Sequence, residues 1–356
     1  MTQTKRLRYG VIGGAMGAAH MRGIRLSNNS ELVAACDVDE GVLNDVQAEF
    51  GLPDQACYPE FRGLLQHPGL DAVIVASPDF YHEEQVVSAL EAGLDVLCEK
   101  PMALTIPECS RMLQAAERTG RKLMIGQVCR YAPGFKMAKK LVENGEIGDL
   151  FFVESEYAHD YAYAPGKDNW RKDPARPREP VLGGGCHAVD LLRWIAGDPS
   201  EVSAYANHKM LLDWPVNDTT VGILRFPQGV IGKVFVSIGV KRNYTMRSVF
   251  YGTRGTIIAD NQLPYIVLFK DQIVDNTRPL FETRYPEIHD QSTAIYVPVN
   301  IESHNTTAEV NEFSERVLTG QPMLTDGRQG AATVAVCCAL IESAAKGAAV
   351  QVSYDF

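Results

Sequence analysis

Two short stretches carry residue types that can do chemistry together. Glu99-Lys100-Pro101 follows the apolar run Asp95-Val96-Leu97-Cys98, which predicts a short buried strand. A lysine at the carboxyl end of a parallel strand stands where doubly wound folds bind their ligands. Pro101 fixes its own φ and biases Lys100 toward extended backbone, which aims the amine. An isolated Glu-Lys-Pro is more often a solvated turn, so its surroundings decide. The second stretch is Leu182-Gly183-Gly184-Gly185-Cys186-His187-Ala188-Val189-Asp190. Its glycines permit close approach, and His187 opens an apolar helix. Asp190 falls three residues on, on the same helical face, where it is expected to orient the imidazole. An ammonium and an imidazole at one substrate oxygen would take a proton and stabilise the charge left behind. Cys186, His187 and Asp190 lack a further well-spaced ligand, so no metal is expected.

The elements that must position these residues alternate. Tyr9-Gly10-Val11-Ile12 predicts a first strand, and Gly13-Gly14-Ala15-Met16-Gly17 leads into a helix. Strand, glycine turn and helix are the setting in which a dinucleotide fingerprint is credible, with the pyrophosphate on the helix N-terminus. The turn is one residue shorter than Gly-x-Gly-x-x-Gly. Glu31–Cys36 predicts a second strand ending at Asp37, near the position of the acid that binds the adenosine ribose. Asp37 competes there with Asp39, and either could instead cap a helix. Helices are expected over Val42–Phe50, Tyr58–Leu65, His82–Ala92 and Pro107–Thr119, the last with a Thr105/Glu108 capping box. Ala72–Ala76, ending in Ser77-Pro78, and Lys122–Gly126 complete a parallel sheet.

After Gln127 the pattern changes. A helix over Pro133–Glu143 precedes an alternating, aromatic-rich strand, Leu150–Tyr157. Strand-like runs follow at Glu201–Asn207, Thr219–Arg225, Val230–Val240, Arg247–Tyr251 and Gly255–Ala259, with a hairpin turn at Gly252–Gly255. Helices over Thr306–Thr319 and Gly330–Lys346 close the chain. The expected fold is an α/β Rossmann-type doubly wound parallel sheet over 1–127, then an α+β domain over 128–356 with a mostly antiparallel, open-faced sheet.

Bulk properties narrow the function. The 356 residues carry a formal net charge of −10, which disfavours nucleic acid as a partner. No apolar stretch is long enough for a membrane span, and the N-terminus has no signal-peptide core. The eight cysteines include no Cys-x-x-Cys pair and fall mostly in apolar elements. That usage predicts reduced thiols and a cytoplasmic protein.

Taken together, these motifs resemble the Gfo/Idh/MocA family, the relatives of glucose–fructose oxidoreductase and inositol dehydrogenase. The resemblance rests on Met16-Gly17-x-x-His20, Asp37, Ser77-Pro78, His82, Glu99-Lys100-Pro101, Arg130, Trp170-Arg171 and His187-x-x-Asp190, and it covers nearly the whole chain. It implies NAD, with NADP the lesser alternative, held by Gly13, Gly14, Ala15, Met16, Gly17, Asp37, Ser77, Pro78, His82, Glu99, Lys100, Arg130, Trp170 and Arg171. It implies hydride transfer to or from a sugar, glycoside or cyclitol, with Lys100 and His187 catalytic. Lys100, Tyr157, Trp170, Cys186 and His187 would meet the substrate, the aromatic residues by stacking on sugar rings. A second enzymatic reading keeps NAD but oxidises a glycoside transiently and then eliminates its leaving group. A third is a nucleotide-sensing regulator without chemistry. The apolar residues at both parities of Val230–Val240 predict a homodimer or homotetramer through the C-terminal sheet.

One departure from the family pattern bears on the reaction. Many of these dehydrogenases carry an Asp four residues before the histidine, where this chain has Gly183. The expectation is a roomier site suited to larger glycosides. Without that carboxylate, His187 is expected to titrate near the unperturbed imidazole value of about 6.5.

Overall fold

The computed structural model describes residues 6–164, 166–270, 294–300 and 304–356. Six parallel strands form the first sheet: β1 (Leu7–Ile12), β2 (Ser30–Cys36), β3 (Cys57–Tyr58), β4 (Ala72–Val75), β5 (Asp95–Glu99) and β6 (Leu123–Gly126). Their order is β3-β2-β1-β4-β5-β6, so the sheet reverses direction of growth between β1 and β4. Ligands of such sheets bind outside that junction. The intervening helices are α1 (Gly14–Leu26), α2 (Glu40–Phe50), α3 (Phe61–Leu64), α4 (His82–Glu91) and α5 (Ile106–Thr119). The expected capping box closes on α5, where Thr105 Oγ1 accepts from Glu108 N and the Glu108 carboxylate accepts from Thr105 N. The helix expected from Tyr58 starts only at Phe61, because Cys57 and Tyr58 pair with Ala35 and Cys36 as an edge strand.

The second half begins with α6 (Pro133–Glu143) and β7 (Leu150–Ala158), followed by α7 (Pro180–Gly183) and α8 (Cys186–Ala196). Seven further strands, β8 (Glu201–Asn207), β9 (Thr219–Arg225), β10 (Ile231–Ser237), β11 (Thr245–Gly252), β12 (Gly255–Asp260), β13 (Tyr265–Lys270) and β14 (Ala294–Pro298), precede α9 (Thr306–Thr319) and α10 (Gly327–Lys346); β15 (Val350–Gln351) ends the order. The sheet runs β14-β13-β12-β11-β7-β10-β9-β8-β15. It is antiparallel except where β10 lies parallel to β7. Sequence reading missed β13, β14 and β15, which are short and lack strong alternation.

One face of this sheet packs on α8 and α10 and buries Val234, Val236, Ala204 and Leu224. The other carries Tyr205, Val221, Ile223 and Ile231 with 38–78% of their surface exposed. Cross-strand pairs Lys233–Glu154 and Arg225–Glu201 interrupt that apolar face. Among the described residues no helix is long and apolar enough to cross a membrane.

The two closing helices return to the first sheet. Val310 and Phe313 of α9 enter the core beneath β1, and Tyr9 bonds Ser314 through their hydroxyls at 2.5 Å. Met124 of β6 forms an isolated bridge with Asp326, just before α10.

Candidate active site

A cleft of about 430 Å³ opens at the carboxyl ends of β1, β4 and β5 and reaches the segment around α7. Its first wall is largely backbone. Gly13 holds φ +93°, and a Cβ there would lie 2.6 Å from the Ala76 carbonyl, so only glycine lets β1 turn into α1 beside β4. Ala15 and Met16 lie on the cleft wall in the first turn of α1, where free N–H groups favour an anion. Gly14 and Gly17 are buried off the wall, Gly17 against Val11. Both aspartates at the end of β2 line the cleft, and Asp39 in addition caps α2 by accepting from Val42 N. Asp37 accepts from Gly14 N at 2.7 Å and Asp39 N at 2.9 Å, which fixes the carboxylate and leaves lone pairs for hydroxyls.

Ser77, Pro78, His82, Glu99 and Lys100 continue the wall. His82 is a strut: Nδ1 stands 2.9 Å from the Pro101 carbonyl and Nε2 3.0 Å from that of Ser77. With both nitrogens turned to backbone it shapes the wall and offers nothing to a nucleotide. Glu99 is buried and accepts from His20 Nε2 at 2.8 Å and from Lys100 N at 3.1 Å. Burial alone would raise its carboxyl, but the hydrogen bond from His20 and then Lys100 outweigh it and hold it below its ordinary range. Glu309 of α9 lies behind them, its Oε2 4.0 Å from His20 Nδ1. Burial, then Glu99, pushes the Glu309 carboxyl well above its ordinary range.

The opposite wall is made of side chains: Tyr161, Trp170, Arg171 and Arg178, beside Gly183. His187 stands on the first turn of α8, four residues beyond Gly183, and is 2% exposed. It is not on the cleft wall itself. Its Nδ1 has no partner among the described residues. Burial, then Lys100 and His304, lowers the imidazole well below the ordinary histidine value. The expected titration near 6.5 is therefore corrected: the ring is held neutral. His304 lies with its ring 5.2 Å from that of His187 and stacks on Tyr244 at 5.8 Å.

Three further expectations change. Asp190 does not orient His187. It accepts two 2.7 Å hydrogen bonds from Arg130 and one from Thr333 at 3.0 Å. Arg130 is thereby committed to joining the end of β6 to α8 and α10, and it does not line the cleft. Cys186 is fully buried, its thiol turned back to the Gly183 carbonyl at 3.2 Å, away from any substrate. Tyr157 is 5% exposed and bonds Tyr161 through their hydroxyls at 2.8 Å, so it backs Tyr161 rather than facing a sugar. A Cβ on Gly184 would strike that Tyr157 ring at 2.3 Å.

Gly183 leaves no void. A Cβ there would lie 2.9 Å from Arg178 Cζ and 3.1 Å from its Nε and Nη2, so the guanidinium fills the space. The direction that a side chain at 183 would take is thus occupied by Arg178 rather than by open space, although Gly183 itself lines the cleft. Arg178 in turn bonds Asp79 just beyond β4, across the two halves. Neither residue was singled out from sequence. An arginine shortly before the glycines, and an acid beside Ser77-Pro78, were the only signals.

Cys129, His187 and His304 bring one ligand atom each within 4.8 Å of one another. Burial, then Asp190, pushes the Cys129 thiol well above its ordinary range, which leaves it a neutral thiol and a poor ligand.

Comparisons with known proteins fit this geometry. Residues 7–127 match the model of an oxidoreductase family with an NAD-binding Rossmann fold, and 135–258 match the GFO/IDH/MocA C-terminal domain. Myo-inositol 2-dehydrogenase of Thermotoga maritima is 27% identical over 338 residues, covering 91% of this chain and 92% of that protein. Inositol 2-dehydrogenase 2 of Saccharopolyspora erythraea is 32% identical over 257 residues, covering 70% and 72%. In fold, the chain superposes on levoglucosan dehydrogenase in complex with NADH with a TM-score of 0.85 at 21% identity, covering 98% of this chain and 100% of that one. The chain belongs to the Gfo/Idh/MocA family of NAD-binding oxidoreductases.

Proposed function

We propose that the protein is an NAD-dependent dehydrogenase acting on a CH–OH group of a sugar or cyclitol. The observation that carries this reading is a cleft lined by the α1 N-terminus, Asp37 and Lys100, with a neutral His187 buried just off its wall and near enough for the Lys100 charge to lower the imidazole. Bound at the first wall, the nicotinamide supplies a hydride acceptor. His187 takes the hydroxyl proton as general base, which a neutral ring is ready to do. Lys100 donates to the same oxygen and stabilises the charge that develops as the C–H and O–H bonds are lost and C=O forms. Trp170 and Arg171 would border the bound pair from the second wall, while Arg130 and Asp190 hold α8, and so His187, in place.

NAD is preferred over NADP because Asp37 faces the ribose site and Asp37-Val38-Asp39-Glu40 contains no cation for a 2′-phosphate. The relatives named above are dehydrogenases, and nothing in the cleft favours oxidation followed by elimination. We place residues 1–127 as the nucleotide half and 128–356 as the substrate half. The test is NAD reduction across hexoses, inositols, uronates and glycosides. Turnover of a polyol with stoichiometric NADH supports the reading, and cofactor binding without any turnover leaves a sensor instead.

The same reading includes self-association through the outer face of the second sheet. Tyr205, Val221, Ile223 and Ile231 are exposed apolar residues on that face, between the ion pairs Lys233–Glu154 and Arg225–Glu201. Of the 201–300 stretch, residues 271–293 lie outside the described residues. Sedimentation at micromolar concentration is expected to give a dimer or tetramer, and Tyr205→Glu with Ile223→Glu to give a smaller species.

A further inference from the structure

The substrate wall carries two arginines, Arg171 and Arg178, of which only Arg178 is ion-paired among the described residues, although the exposed Asp168 lines the same cleft. Arg171 is largely buried, and its one described hydrogen bond goes to the Ala164 carbonyl at 3.2 Å. Its Cζ and that of Arg178 stand 4.8 and 4.9 Å from the Trp170 ring. Arg178 is 9% exposed and gives Nη1 to Asp79, but its Nε has no partner among the described residues. Asp79 is the one carboxylate engaged with this pair. Across the cleft, Lys100 has no carboxylate within ion-pair distance of its amine among the described residues, and Glu99 is taken up by His20. Burying charge without a counter-charge is unfavourable by several kcal/mol. Such a set is tolerated where a ligand completes it.

We infer that the substrate carries a carboxylate, as a sugar acid or a carboxylated cyclitol does, and that Arg178 and Arg171 receive it beside Gly183. This rests on the dehydrogenase reading and names its substrate class. The planar guanidinium fork matches a carboxylate, and an unpaired Nε leaves one donor of that fork ready. A side chain at 183 would bring its Cβ to 2.9 Å from Arg178 Cζ, so the guanidinium would have to shift from the anion site. The other anion available is the cofactor's pyrophosphate. It has its own place at the first turn of α1, on the opposite wall, whereas Arg178 packs against the segment that leads into His187. Burial lowers the Arg171 guanidinium from its ordinary value, whereas at Arg178 burial is outweighed, first by Asp79, and the guanidinium is raised, so Arg171 is the member of the pair without a carboxylate of its own.

The experiment uses the full-length enzyme. NAD reduction is measured on D-glucuronate and D-galacturonate against D-glucose, D-galactose and myo-inositol. Binding of the same compounds to the enzyme–NADH complex is followed by cofactor fluorescence. The expected result is a kcat/KM at least about tenfold higher for the acid than for its neutral partner. That preference should weaken as ionic strength rises. Arg178→Met should abolish the preference while NAD affinity stays within a few fold. Because Arg178→Met strands Asp79 and could unfold the protein, Asp79→Asn with Arg178→Met is measured beside it, and Arg178→Lys should keep part of the preference. A neutral sugar preferred by the native enzyme, or an acid preference that survives Arg178→Met both alone and with Asp79→Asn, overturns the inference and leaves the dehydrogenase reading intact. Loss of NAD affinity with an unchanged sugar preference assigns Arg178 to the pyrophosphate and also overturns it. Acid binding to the NADH complex without any turnover upholds the anion site and sinks the dehydrogenase reading. Neither binding nor turnover of any acid overturns the inference.

Discussion

The two walls of the cleft are built from different materials. On the first, main-chain turns at Gly13 and the α1 N-terminus, with one carboxylate at Asp37, present a surface made almost wholly by secondary structure. On the second, long side chains from a loop and two short elements interlock: Trp170, Arg171 and Arg178 over Asp79 and Tyr161. The first wall suits a nucleotide, whose phosphates main-chain N–H groups can hold. The second depends on which side chains meet, and is where one member of a family departs from another. A test of this contrast is to break each wall and ask which ligand is lost.

The largest effect is expected where the walls meet. Lys100→Met and His187→Ala should each lower kcat by roughly 10²–10⁴ and leave NAD affinity within a few fold. Steady-state rates with cofactor titrations decide it, and near-normal turnover in either variant removes that residue from the chemistry. Next comes the strut beneath the second wall. Arg130→Met leaves Asp190 charged and buried, which should destabilise the fold by about 3–5 kcal/mol in denaturant unfolding. A loss confined to NAD binding would instead return Arg130 to the cofactor. On the first wall, Asp37→Ser removes charge-assisted hydrogen bonds of about 1.5–3 kcal/mol. It should erode the preference for NAD over NADP about ten- to a hundredfold, with the substrate preference unchanged.

The smallest effect is a slope. The Glu309 carboxyl is raised in the folded protein, so folded chains keep a proton that unfolded chains release above about pH 4.5. This contribution is fully present below that pH and declines as pH rises toward the folded value, by at most about 1.4 kcal/mol per pH unit for one proton. Glu309→Gln has no proton to lose. Its unfolding free energy should fall less steeply between pH 5 and 8 than that of the native chain, and parallel curves would mean that Glu309 is not protonated there.

The contrast also explains what the sequence made legible. Hydrophobic period, capping residues and glycine position place β1, α5 and the strands Glu201–Asn207 and Thr219–Arg225 almost to the residue, because these are local signals. Asp37 and Lys100 were legible because each ends a strand of a known kind. Arg130, Asp190 and Cys186 were misassigned for one reason. Arg130 and Asp190 bond each other across sixty residues and reach the distant partners Gln329 and Thr333, while the Cys186 thiol turns back to the Gly183 carbonyl; none of these contacts carries a sequence pattern. Arg178 was invisible because its role follows from the missing Cβ of Gly183, which the sequence records only as a glycine.

The return of α9 to β1 governs how the chain is made. During synthesis the nucleotide-binding sheet leaves the ribosome long before Phe313 and Ser314 exist, so Tyr9 and Met21 wait without their covering helix. Contacts of such long sequence separation form late and slowly. The nascent first half thus exposes this apolar face through most of translation, the kind of surface that chaperones bind. A premature stop anywhere before residue 314 would yield an aggregation-prone sheet rather than a working nucleotide-binding fragment.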